Sequence, residues 1–366
     1  MNPTASRLEV RSPSLRVCRP HDARRQNVAL VTQLLYDSDG LSRAQLARLV
    51  GLTPVTVSSL VSVLASQGLV VETGATAPGR PGRRGTTLQL DAGSATIVAV
   101  DLTDHQNLTA ASYSLRGQLR DRVSRPLGDA SSAMPGLLRA VQDLEASAGR
   151  VLGVGVGVRG ADDPMATCEQ HQAWTAADVA QALSPAGLPI SVGDEVGLAA
   201  LAERRFGGHD CGGNLIRVEL GDQITAGLLL DGSPVPGRAG AISHIEVLGG
   251  DEPCSCGGHG CLQTVLSASA LATRFSDDPA ALAEAGRMLG AALAPVLELL
   301  GVEDLIVSGP DDLVDARFLT AVQGATHQRA GDGRPAAVRV RRAALGNDAV
   351  LLGAAALVLR EELGVR

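Results

Sequence analysis

Lysine is absent from this chain: all 32 of its basic residues are arginine. A bias this uniform reflects a GC-rich coding sequence and by itself assigns no mechanism. Aromatic residues are scarce too, with three Phe, two Tyr and one Trp in 366 residues, so any core must be built from Leu, Val and Ala. No unbroken apolar run reaches the roughly 18 residues of a membrane span, and the charged N-terminus has no signal-peptide core. A soluble cytoplasmic protein with no membrane partner is therefore predicted. Cysteine is used only six times, and in a reducing compartment a structural disulfide is the least favoured use of it. Cys18, Cys168 and Cys211 are scattered and read as ordinary small residues.

The length predicts two or three domains with ample chain for a core. Net charge is −7, but it is unevenly spread. Residues 1–90 hold 11 arginines against 5 acidic residues, a net of +6, so the remainder carries −13. A basic module joined to an acidic body is the pattern expected when only the first part meets nucleic acid.

Local signals give that module a fold. Residues 27–36 place apolar side chains at 28, 31, 34 and 35, one face of a helix. In "LSRAQLARLVGLTPVTVSSLVSVLASQGLV", Ser42 can cap a helix and Gln45 can reach back to close a capping box, with the helix ending near Gly51. Thr53 can cap the next helix, with Pro54 in the first helical position where its missing N–H costs nothing. Val57, Leu60, Val61 and Leu64 line one face, leaving Thr56, Ser59 and Ser62 on the other. The pair predicts a helix-turn-helix. The β-prone runs around "GATAPGRPGRRG" that follow predict a wing. Candidate DNA contacts are Ser42, Arg43, Thr53, Pro54, Thr56, Val57 and Ser59, together with Arg80, Arg83 and Arg84 of the wing.

From about residue 95, the runs "ATIVAVDL", "LTAASYSLRGQ", "VLGVGVGVRG", "LIRVEL" and "AGLLLDG" read as strands. Helices are predicted at 196–206, 262–275, 279–300 and 348–363. Alternating strands and helices predict α/β layers, and the repeated strand-hairpin-helix order suggests two related lobes with a cleft between them. Within "CSCGGHGC", residues 254–261 crowd three cysteines into eight positions, a spacing that fits a metal site, a redox pair or a metal-free thiol cluster.

The order of these motifs resembles the ROK family of sugar kinases and transcriptional repressors, from about residue 26 to the C-terminus. "LSRAQLARLVGLTPVTVSSLVSVLASQGLV" with "GRPGRR" is similar to the head of the family's repressors, and "GRAGAISHIEV…CSCGGHGCLQTVLSASAL" to its zinc segment. The resemblance implies a winged helix-turn-helix over 26–90, after a flexible tail at 1–25. A two-lobed, actin-like and sugar-kinase-like body of ribonuclease H-like folds would follow over 95–366. It also implies structural Zn2+ on His244, Cys254, Cys256 and Cys261, in segment 244–261. Three thiolates and one imidazole form a closed tetrahedral set; by spacing alone, His259 competes with His244.

The resemblance further implies which kinase features are lost. The family's "DxGGT" phosphate turn reads "DLTDHQ" here, with Thr103 and Asp104 in place of glycines, and the second glycine-rich turn reads "LGDQITAG", with Asp222. Side chains there block backbone approach, and the acids repel phosphate. At the sugar site the family's catalytic acid is kept as Asp194, vestigial without a phosphate cradle. Gly193 replaces an Asn, Ala241 a Glu, and Gln263 another Glu. Asp194, His244 and Gln263 are thus the candidate ligand contacts. The expectation is a DNA-binding repressor, not an enzyme, that binds double-stranded operator DNA as a homodimer or homotetramer and senses a sugar or sugar derivative. A sugar kinase with a fused head and a ligand-independent regulator are the alternatives.

Overall fold

A computed structural model describes residues 20–74, 86–128, 130–159, 174–208, 210–235, 239–247, 250–275, 279–328 and 338–366. The chain forms two compact units, Met1–Leu90 and Asp91–Arg366.

In the first unit, α1 (Pro20–Tyr36), β1 (Leu41–Ser42), α2 (Arg43–Val50), α3 (Pro54–Ser66), β2 (Val70–Thr73) and β3 (Thr87–Leu90) follow in order. The helix α1 begins six residues before the boundary expected at residue 26, because periodicity detects only its buried face while Arg24, Arg25 and Gln26 extend it into solvent. Ser42 closes the capping box with Gln45, and Gly51 ends α2 in the left-handed conformation at φ 67°. Thr53 caps α3, with Pro54 in its first turn. The axes of α2 and α3 differ by 113°, within the range of helix-turn-helix pairs. Val57, Leu60, Val61 and Leu64 are buried with Val31, Leu35 and Leu46. Three strands in the order β1-β3-β2, all antiparallel, complete a winged-helix arrangement.

The body opens with β4 (Thr96–Asp101), β5 (Asn107–Ser114), β6 (Leu119–Pro126), α4 (Ala130–Ser147), β7 (Val151–Val158), α5 (Ala176–Leu183), β8 (Ile190–Asp194) and α6 (Glu195–Phe206). It continues with β9 (Leu215–Leu220), β10 (Ile224–Leu230), β11 (Ser233–Pro234), α7 (Leu262–Leu266), α8 (Ala268–Phe275), α9 (Pro279–Leu299), β12 (Asp304–Ser308), α10 (Ala316–Gln328), β13 (Arg339–Arg342) and α11 (Ala349–Leu363). Its two five-stranded sheets, β6-β5-β4-β7-β8 and β11-β10-β9-β12-β13, have one design. In each, an antiparallel meander leads into three parallel strands. These are the two related lobes expected from the sequence.

Parallel strands need cover on both faces, which is why β4 and β7 read as continuous apolar runs. Leu137, Val141 and Leu144 of α4 and Val179 and Leu183 of α5 cover one face of the first sheet. Leu289 and Leu293 of α9 with Phe318 and Val322 of α10 cover the second. By length and composition α9 could cross a membrane, but Leu282, Ala285, Leu289, Leu293 and Leu297 set one side of it in this core. Between the sheets, α11 packs on the first, α6 on the second, and the two helices on each other. Glycine permits that closeness: a Cβ on Gly155 would stand 2.2 Å from the Ala354 carbonyl oxygen, and one on Gly227 2.0 Å from that of Val196. The helix predicted over 262–275 is two helices, because Ser267 adopts extended backbone and starts α8, its carbonyl accepting from Leu271 N–H at 2.8 Å.

Candidate functional site

On the first unit, four of the seven expected DNA contacts among the described residues have local partners. The Ser42 hydroxyl donates to Gln45 Oε1 at 2.8 Å, and the hydroxyls of Thr53 and Thr56 share a hydrogen bond of 2.9 Å. Arg43 pairs with Glu72 at 2.5 Å. Val57 is a correction: it is fully buried in the helical core, because it falls on the same stripe as Leu60, Val61 and Leu64, and so cannot touch DNA. Pro54 and Ser59 are exposed. Arg80, Arg83 and Arg84 lie outside the described residues.

In the body, the loop after the short helical turn Ala239–His244 folds back on itself through bridges Glu246 to Cys261 and Pro253 to His259. Cys254 N–H donates to the Gly258 carbonyl at 2.8 Å, and Gly257 N–H to the Cys254 carbonyl at 2.9 Å, making a tight knuckle. Gly257, with φ 90°, allows that turn. One ligating atom each from His244, Cys254, Cys256 and Cys261 then lie within 4.8 Å of one another. His259 is exposed and lies outside this group.

The distances suit zinc. Bonds of about 2.3 Å to sulfur and about 2.0 Å to nitrogen imply tetrahedron edges of about 3.8 Å between sulfurs and about 3.5 Å between nitrogen and sulfur. Cys256 Sγ and Cys261 Sγ are 3.6 Å apart, too far for a disulfide, and Cys254 Sγ is 3.5 Å from His244 Nδ1. Gly258 N–H points at Cys256 Sγ across 3.4 Å. Burial pushes the Cys254 thiol up, but hydrogen bonds from Cys256, His244 and Cys261 outweigh it and bring it down to about 7. Cys261 is pushed up to about 12, by burial first and then by the other two thiols. The neighbouring sulfurs thus oppose ionisation of Cys261, and a cation among them would remove that conflict. The donor set therefore fits a metal ion.

The two phosphate turns are filled by the chain itself. After β4, Asp101 Oδ1 accepts from the Thr103 amide at 2.8 Å and its hydroxyl at 2.6 Å. Asp104 Oδ1 accepts from the Gln106 amide at 2.8 Å, which holds this carboxyl below its ordinary range. Arg159 Nε donates to the Thr103 carbonyl at 2.9 Å and fastens the turn to the end of β7. In the second turn, Gln263 Oε1 accepts from the Ile224 amide at 2.8 Å while Nε2 donates to the Asp222 carbonyl at 2.6 Å. Expected as a ligand contact, Gln263 instead braces the β9–β10 turn with both ends of its amide.

Asp194 caps α6, accepting from the Gly197 amide at 2.8 Å. A Cβ on Gly193 would lie 2.7 Å from Leu198 Cδ2, so core leucine fills the place beside it. His244 has Nδ1 turned to the thiols, leaving Nε2 as its one ring atom for a cleft ligand. Sequence reasoning missed Glu195. Burial raises its carboxyl to about 7, Arg159 opposes that rise, and the charges of Asp101, Asp194 and Glu219 add to it. Burial also raises Asp101, against hydrogen bonds from Thr103. The adjacent acids in "GDE" were the available signal, but burial was not in it.

Comparison with known proteins places this geometry. The sequence profile of the ROK family matches residues 97–361. A xylose repressor from Caldicellulosiruptor bescii is 26% identical over 258 residues, 67% of this chain and 64% of that protein, so the match spans under two thirds of the relative. Kanosamine kinase from Amycolatopsis mediterranei is 30% identical over 266 residues, 66% of this chain and 80% of the enzyme. Among solved structures, a ROK family transcriptional regulator described as a homolog of the E. coli MLC protein superposes with TM-score 0.75 at 21% identity. The superposition covers 94% of this chain and 98% of that one.

Proposed function

This chain belongs to the ROK family, and from that premise we propose that it is a DNA-binding transcriptional repressor whose sugar-kinase-like body senses a small molecule and does not transfer phosphate. The observation that carries the proposal is the filling of both phosphate turns: the amides of Thr103, Gln106 and Ile224 are occupied by Asp101, Asp104 and Gln263. A phosphate cradle needs free amides and no competing anion. The capped helix-turn-helix in a unit of net positive charge supports DNA as the partner, as does the relationship to a xylose repressor.

The proposed domains are a DNA-binding head over 26–90, on α1 from Pro20, and a sensing body over 95–366. His244, Cys254, Cys256 and Cys261 would hold Zn2+, which supplies a closed structural cross-link with no position for catalytic water. Asp194 and His244 Nε2 are the polar groups left for a sugar or sugar derivative. The protein works in the cytoplasm on double-stranded operator DNA, as a homodimer or homotetramer, since two-fold oligomers match palindromic sites. A ligand that prefers the DNA-free form lowers operator affinity by that preference.

Kinase activity is the second reading, favoured by the similarity to kanosamine kinase and by Asp194 at the position of the family's base. A thermal-shift screen against sugars, amino sugars, sugar phosphates and ATP separates the two. The expected result is a shift with a sugar-class ligand and none with ATP. Stabilisation by ATP, with phosphorylation of the sugar, would overturn the repressor-only reading.

A further inference from the structure

Elimination along α3 leaves few side chains able to read bases. Thr53 and Thr56 satisfy each other, Val57 is buried, and the Ser62 hydroxyl donates to the Ser58 carbonyl at 2.8 Å. The Ser58 hydroxyl has no partner among the described residues, but this side chain is only half-exposed, whereas Val55 and Ser59 are exposed and uncommitted. The Ser59 hydroxyl has no partner among the described residues. Val55, one turn earlier, is 80% exposed, more than any other large hydrophobic residue described in the first unit. A β-branched apolar side chain in the first turn of a helix gains nothing from the fold here: it loses helix propensity and buries no surface.

We propose that Val55 recognises the 5-methyl group of a thymine in the operator, with Ser59 as its polar companion; the inference rests on the DNA-binding reading above. Residues at the start of the second helix of a helix-turn-helix meet base edges in the major groove. The apolar mark exposed there is the thymine methyl. Val55 holds that position, and Ser59 follows at i+4 on the same side. The cap at Thr53 and the buried stripe behind fix the helix, so the two methyls of Val55 project from a rigid base. The net charge of +6 over residues 1–90, which comes from the arginines of segments 1–19 and 75–85 outside the described residues, favours a polyanion over an apolar protein groove as the partner of this unit.

The test uses the full-length protein. Sequences bound from a random duplex pool give a consensus, and each consensus thymine is then replaced by deoxyuridine, which lacks only the methyl. One thymine per half-site is expected to matter, its loss weakening the unsubstituted protein about four-fold, as for one buried methyl. Val55→Ser should bind the thymine and deoxyuridine duplexes equally, with an unchanged salt slope because no phosphate contact is lost. Val55→Thr, which keeps one methyl, should restore part of the preference. Val55 buries no core surface, so both variants should melt like the parent. If the unsubstituted protein binds specific DNA but ignores every methyl, the role of Val55 is overturned and DNA binding stands. If no duplex is bound even at low salt, both are overturned.

Discussion

The loop around Cys254 and the turn after β4 both sit in the body, and both bring polar groups together by means of tight backbone. In the first, four soft donor atoms converge within 4.8 Å and face one another. In the second, the carboxylates of Asp101 and Asp104 turn inward onto the chain's own amides. One arrangement leaves an electrostatic conflict that a cation relieves, whereas the other has satisfied itself. The comparison teaches that a binding loop is recognised by what its groups still lack, and that motif spacing alone does not reveal this.

The strongest way to break the contrast is at the thiols. Cys261→Ser removes a buried ligand, and the expected outcome is loss of zinc from the purified protein with destabilisation of at least about 3 kcal/mol. Metal analysis and urea unfolding of parent and variant check this, and an unchanged midpoint with no zinc in the parent would dissolve the contrast. Gln263→Ala addresses the self-satisfied side. It strips partners from the Ile224 amide and the Asp222 carbonyl and should cost about 2 kcal/mol, read as a lower urea midpoint at constant slope.

The smallest effect concerns Glu195. Its carboxyl is raised from 4.5 to about 7 by burial first, so the folded form binds that proton more tightly than the unfolded chain. The stabilisation is complete below pH 4.5 and is lost as pH rises through about 7. Glu195→Gln resembles the protonated acid and should flatten that decline in melting temperature between the two pH values. Parallel curves for parent and variant would show that Glu195 does not carry it.

Much of the fold was legible because its signals are short-range. Ser42 and Thr53 act on amides three residues away, and the apolar runs of β4 and β7 reflect cover on both faces. Other elements carried no such mark. Strand β6 is an exposed edge rich in charge, with Arg120, Asp121, Arg122 and Arg125, and β13 reads "RVRR". In these strands the polar side chains meet solvent or ion partners, so alternation of apolar residues never appears. Arg342, for example, pairs with Asp311 at 2.5 Å.

The sequence by itself determined the caps, the helix-turn-helix, the repeated lobe pattern and the crowding of Cys254, Cys256 and Cys261, since each depends on neighbours within a few positions. Only the tertiary structure decided that His244 rather than His259 joins the thiols and that Glu195 is half-buried among acids. It also turned Gln263 into a brace, through hydrogen bonds to residues 39 and 41 positions away in the chain. Desolvation and long-range hydrogen bonding depend on which distant groups arrive together, and only the folded chain brings them there.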